Sequence, residues 1–103
     1  MAERKATMGV YRLYDRNTGE SYVGFSRNIE STLKRLRFEL TLNACPYTPL
    51  QEFWNQRGEL VTEILEPYYP KTGLSDEELD GYLRARMYYH MERLKAKAVQ
   101  VAC

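Results

Sequence analysis

Two tyrosines, each set beside valine and glycine, are the first residues in this chain whose type and spacing could do chemistry. Gly9-Val10-Tyr11 and Tyr22-Val23-Gly24 are mirror-image triplets with ten residues between their inner tyrosines. A phenol hydroxyl both donates and accepts hydrogen bonds, and a positioned one can take part in proton transfer. Arg27, Lys34, Arg35 and Arg37 follow closely and offer cations for phosphate oxygens. Later, Tyr82, Arg86, Tyr89 and Arg93 fall at i, i+4, i+7 and i+11, a stripe of rings and guanidiniums suited to stacking bases and pairing with phosphates. Each set has a plain packing alternative. Glycine–tyrosine strands can serve a core, stripe tyrosines can cover a core edge, and arginines can simply be solvated. His90 has no second ligand near it in sequence, so packing is the expected role, and Cys45 and Cys103 lack metal-type spacing.

The elements that must hold these groups follow from periodicity and turn chemistry. Met8 to Tyr14 and Ser21 to Phe25 are rich in β-branched and aromatic residues, and the polar run Asp15 to Glu20 between them predicts a hairpin. Asn28 is the expected N-cap of a first helix, whose apolar stripe is Ile29, Leu33, Leu36 and Leu40. Thr48-Pro49 opens a second helix with Thr48 as N-cap, and Gly58 suits its left-handed C-cap. Leu60 to Leu65 reads as a third strand whose pairing Pro67 and Pro70 end. Ser75 and Glu78 form a capping box for the last helix, with Leu79, Leu83, Met87, Met91, Leu94, Ala98 and Val101 on its apolar face. Beyond Met87 the 4-3-4-3 spacing suits another helix, which makes a homodimer through this element one expectation. The predicted order is ββααβα, an α/β (α+β) domain with a small three-stranded sheet flanked by helices.

At 103 residues the chain has room for one domain, spanning 1–103, with its core at about 8–94 and the last helix running to the end. No apolar run approaches the ~20 residues of a membrane span, and MAERKAT does not read as a signal peptide. With two isolated thiols, the expected setting is cytoplasmic. A net charge of +1 weighs against a uniformly polyanion-binding surface and leaves local patches as the route to phosphate.

The two triplets, the turn between them and the trailing Ser26, Asn28 and Ile29 resemble the signature of the GIY-YIG nuclease family. Leu50, Gln51, Phe53, Trp54, Asn55 and Gly58 are similar to a further segment of that family, so the likeness covers roughly residues 8 to 94. The resemblance implies a small α/β nuclease fold. In it Tyr11 would help deprotonate water with Tyr22 assisting, and an arginine of the first helix would steady the phosphate. A glutamate of the last helix would hold Mg²⁺ or Mn²⁺ as Lewis acid.

The chain departs from that pattern. The family's arginine position, eight residues past Gly24, is Thr32, and the histidine position after it is Leu36. The glutamate position falls on or beside Arg86, and Arg84 to Met91 contains no acid. An arginine there repels a divalent cation at short range. The sequence therefore predicts a GIY-YIG-like domain that is catalytically inactive, needs no cofactor, and binds DNA or RNA. Its contacts would be Arg27, Lys34, Arg35, Arg37, Tyr82, Arg86, Tyr89 and Arg93. The alternative is a divergent Mg²⁺-dependent DNA endonuclease that uses Tyr11, Tyr22 and Arg35. It would take Glu78 as metal ligand after re-registration of the last helix, because Asp80 points away from the Tyr82/Arg86 flank. A third reading is a protein-interaction or dimerisation module built on the C-terminal helix.

Overall fold

A computed structural model describes residues 7–58, 60–69 and 73–99. The hairpin forms as the alternating apolar runs require, with β1 (Met8–Tyr14) antiparallel to β2 (Ser21–Ser26) and Tyr11 opposite Gly24. Asp15 builds the turn. Its carboxylate accepts from the Asn17 backbone N–H and the Thr18 hydroxyl, both at 3.0 Å, while Arg57 reaches it from across the domain at 3.2 Å. Three helices follow the predicted order, α1 (Ile29–Thr41), α2 (Thr48–Arg57) and α3 (Asp76–Leu94), with β3 (Val61–Tyr68) between the last two. A short β4 (Lys97–Ala98) closes the sheet, giving the order β3-β1-β2-β4 with only β2–β4 parallel.

The pleat divides the core in two. Tyr11, Leu13 and Tyr22 point to one face, where they meet Ile29, Leu36 and Leu40 of α1 and Leu50 and Phe53 of α2. Val10 and Val23 point to the other face, where Met87 of α3 seals them. The caps behave as their side-chain chemistry dictates: Asn28 accepts from the Ser31 backbone N–H, and Ser75 with Glu78 completes the capping box. Gln51 is buried and ties α2 to the preceding loop. Its oxygen accepts from the Cys45 N–H, and its amide donates to the Leu40 carbonyl.

Four expectations change. The sheet has four strands, not three, because the chain turns back at Lys95 in left-handed backbone and lays residues 97–98 beside β2. The last helix therefore stops at Leu94. Ala98 belongs to β4, and Val101 lies outside the described residues, so the 4-3-4-3 pattern does not continue as a helix. Pro67 does not end β3. It pairs opposite Gly9, which an edge strand permits because proline's missing N–H can lie on the unpaired side; Pro70 lies outside the described residues. At α2 the cap is Tyr47, without a side-chain bond, which places Thr48 inside the helix; Gly58 has the expected positive φ of 78° but with ψ at −138°.

Candidate functional site

The glycines of the two triplets set the geometry of the site. Gly9 sits at φ +149°, and a Cβ there would lie 2.0 Å from the Glu66 carbonyl oxygen, so β3 approaches β1 closely only because no side chain intervenes. The register then slips between Val10 and Tyr11, a bulge that leaves Leu65 without a counterpart on β1. Gly24 supplies the second close approach. A Cβ on it would meet the Tyr11 hydroxyl at 2.6 Å and its ring at 2.7 Å. The Tyr11 ring lies against the bare backbone of β2, wholly buried.

Beside Tyr11, a groove of about 530 Å³ is lined by residues of β2, α1, α3 and β4. Its cations are Arg27 at the start of α1, Arg35 on α1 and Arg84 on α3. The one carboxylate in its lining is Asp80, which accepts from Arg27 at 2.8 and 3.2 Å; Arg27 also donates to the Asp76 carbonyl and lies 3.4 Å from the Asp76 carboxylate, just outside the lining. Asp80, Arg84, Met87 and Tyr88 fall at i, i+4, i+7 and i+8, so one flank of α3 provides that whole wall. Thr32 lines the groove too, its hydroxyl 2.7 Å from that of Ser26.

The arrangement of strands and helices superimposes on the catalytic domain of the homing endonuclease I-TevI. The TM-score is 0.72 at 18% identity, over 90% of this chain and 98% of that one. The catalytic domain of the same intron endonuclease with a glutamate replaced by alanine gives 0.69 at 20% identity, covering 86% and 84%. This is a GIY-YIG-like domain. No protein-family model matches the sequence, and neither does any curated protein. At such identity the likeness carries the fold, and the chemistry has to be read from the side chains.

Those side chains divide the expected site among several places. Tyr11, Arg27 and Arg35 converge on the groove. Tyr22 does not. It lines a separate hollow of about 240 Å³, its hydroxyl directed at the Pro49 carbonyl at 3.4 Å and its ring packed on Phe53 and Tyr47. Burial, then Tyr47, Glu20 and Glu52 nearby, push its phenol above the ordinary value, so Tyr22 keeps its proton at neutral pH. Lys34 is exposed on α1, and Arg37 faces a third hollow beside Arg16 and Arg57, where it donates to the Thr62 hydroxyl.

On α3 the sequence reading places the wrong flank at the groove. Arg86 faces β3, where its Nε donates to both oxygens of Glu66 at 3.0 Å. Arg93 donates to His90 Nδ1 at 3.0 Å, which leaves His90 Nε2–H to donate to Glu66 at 2.8 Å. Tyr89 lies under Arg86 and edge-on to His90, and Tyr82 packs on Tyr68 with 4.6 Å between ring centroids. Arg86 and the Glu66 carboxylate satisfy each other, and that pairing holds Glu66 below the ordinary carboxylate range. Glu78 is engaged as the capping residue, whereas Asp80, set aside on sequence grounds, lines the groove. Sequence reasoning missed Arg84 as well. Its i+4 spacing from Asp80 was visible, but the flank that faces Tyr11 follows only from how α3 crosses the sheet.

The groove does not fit a divalent cation. Its single carboxylate is held by Arg27 among three guanidiniums, and among the described residues no three acidic, histidine or cysteine side chains converge.

Proposed function

We propose that this domain is a nucleic-acid-binding module that uses the groove over Tyr11 without cutting the strand it holds. The observation that carries this reading is the charge of the groove: Arg27, Arg35 and Arg84 line it with one carboxylate, Asp80, and even with Asp76 beside Arg27 the cations are in excess, in a chain whose net charge is only +1. Cations so concentrated suit a phosphate backbone. Two further features support binding without cleavage. Tyr11 is sealed from solvent, and Tyr22, which faces a different hollow, holds its proton. Arg84 adds positive charge beside the only carboxylate.

The test is one gel with supercoiled plasmid, with and without Mg²⁺ or Mn²⁺, each sample split before and after detergent. The expected result is a mobility shift that detergent reverses, with no nicked product, and a shift weakened in Arg35→Gln and Arg84→Gln. Metal-dependent nicking that survives detergent and vanishes in Tyr11→Phe would overturn the reading and make the domain an endonuclease. Absence of both shift and nicks would also end it.

A further inference from the structure

The groove is more than a basic patch, because it has an apolar floor. Beneath the three arginines lie Met87 and Val99, both buried, with Phe25 half-buried and Ala98 beside them. Arg84 stands over the Phe25 ring with its guanidinium carbon 5.9 Å from the centroid. At the rim is Tyr88, 55% exposed. A volume of about 530 Å³ is within the range of sites that enclose a small planar ligand.

A duplex has little to place in such a hollow. It offers a surface phosphates, sugars and the edges of paired bases, whereas its apolar base faces are stacked inside the helix. An unpaired nucleotide carries both complements at once, a flat apolar base and a phosphate beside it. We propose that the groove takes one unpaired nucleotide of a single strand, its base on the floor of Phe25, Met87 and Val99 against the Tyr88 ring and its phosphate on Arg27 or Arg35. This rests on the nucleic-acid reading and narrows its ligand. Aromatic stacking tolerates every base, so affinity depends on strandedness more than on sequence. The same chemistry serves DNA and RNA. Val99 reaches the floor because β4 turns back along β2, its N–H donating to the Val23 carbonyl at 2.8 Å, so the C-terminal segment helps to build the base pocket.

The experiment is fluorescence anisotropy on the full chain with labelled oligothymidine, labelled oligouridine and a blunt DNA duplex of equal length, at several salt concentrations. The single strands should bind at least about fivefold more tightly than the duplex, the gain expected from stacking one base. Tyr88 is half-exposed, so Tyr88→Ala leaves the fold intact; it should weaken single-strand binding about fivefold or more, with duplex affinity and salt slope unchanged. Tyr88→Phe should restore it. A preference between thymidine and uridine strands that persists when deoxyuridine replaces thymidine would assign the sugar. Duplex binding as tight as single-strand binding, or equal loss on both ligands in Tyr88→Ala, would overturn the inference while leaving the nucleic-acid reading in place. No binding to any of the three would remove both.

Discussion

The contact between Gly24 and Tyr11 is the most sharply testable feature of the fold. Gly24→Ala puts a methyl group 2.6 Å from the Tyr11 hydroxyl oxygen, 2.7 Å from Cζ and 3.1 Å from Cε1. Ordinary van der Waals separation begins at about 3.4 Å, so the ring must retreat by about 0.8 Å. Tyr11 is wholly buried among Leu13, Tyr22 and Leu36. Overpacking of this kind costs about 1–3 kcal/mol, and alanine's lower chain entropy returns up to about 1 kcal/mol, so the net loss centres on about 1.5 kcal/mol within a span of about 0–3. In urea unfolding the midpoint should fall by about 1 M with the slope unchanged. Tyr11→Phe removes the nearest atom and leaves Cζ, so the double variant should recover part of the loss, with a coupling of about 0.5 kcal/mol or more. An alanine variant as stable as wild type, or strict additivity in the cycle, would refute the claim that the second triplet's glycine exists to seat the first triplet's tyrosine.

Other variants probe the remaining links. Gly9→Ala meets backbone rather than a side chain, with its Cβ 2.0 Å from the Glu66 carbonyl at φ +149°, so it should destabilise more than Gly24→Ala in the same urea assay. Asp80→Asn removes the carboxylate that lines the groove and leaves Arg27 with only the more distant Asp76 carboxylate, at 3.4 Å, as ionic partner. Nucleic-acid binding should tighten, and the slope of log affinity against log salt should steepen by about 0.9 for the one extra phosphate contact, with the melting curve little changed. Glu66→Gln should cost about 1–2 kcal/mol at neutral pH. Arg86, then His90, lower the folded pKa of Glu66, so the stability it confers is present above the unfolded value and lost as the pH falls below about 4.5. The gap between wild type and variant should therefore close in acid; a gap constant with pH would show that the pairing is not what holds Glu66.

The parts of this structure that were legible in the sequence are those fixed by local rules. The alternation of Val10, Leu13 and Val23, the Asn28 cap, the α1 stripe and the Ser75–Glu78 box each involve residues within a few positions of one another, and each is found. The C-terminus was not legible because helix α3 ends without glycine or proline. Lys95 adopts φ 54° and its N–H bonds to the Glu92 carbonyl, so an apolar spacing that suits a helix continues into a strand. Strand β3 outran its prediction because Pro67 stands on an edge, and edges are a property of sheet order. The flank of α3 at the groove was hidden for a related reason. Both flanks carry tyrosines and arginines, and only the crossing of α3 over Val10 and Val23 turns Asp80, Arg84 and Tyr88 toward β2 and Arg86, Tyr89 and His90 toward Glu66.

The same division separates the groups that set the fold from those that set the charge of the groove. The groups that make the fold are Gly9, Gly24, Tyr11 and the two core faces, and altering any of them strains a close contact or opens a cavity. The groups that give the groove its charge, Arg27, Arg35, Asp80 and Arg84, lie on exposed or half-exposed positions of α1, α3 and the turn before α1, where the core imposes no demand on them. A second carboxylate on that flank of α3, at Arg84 beside Asp80, would favour a cation in the groove; the guanidinium there favours an anion, and neither choice costs the sheet a contact. The second tyrosine shows the same separation from the other side. The Tyr22 ring packs on Phe53 and Tyr47, a role that makes no use of its proton. Backbone similarity to a catalytic domain thus reports on the first set of residues, and the behaviour of the groove follows from the second.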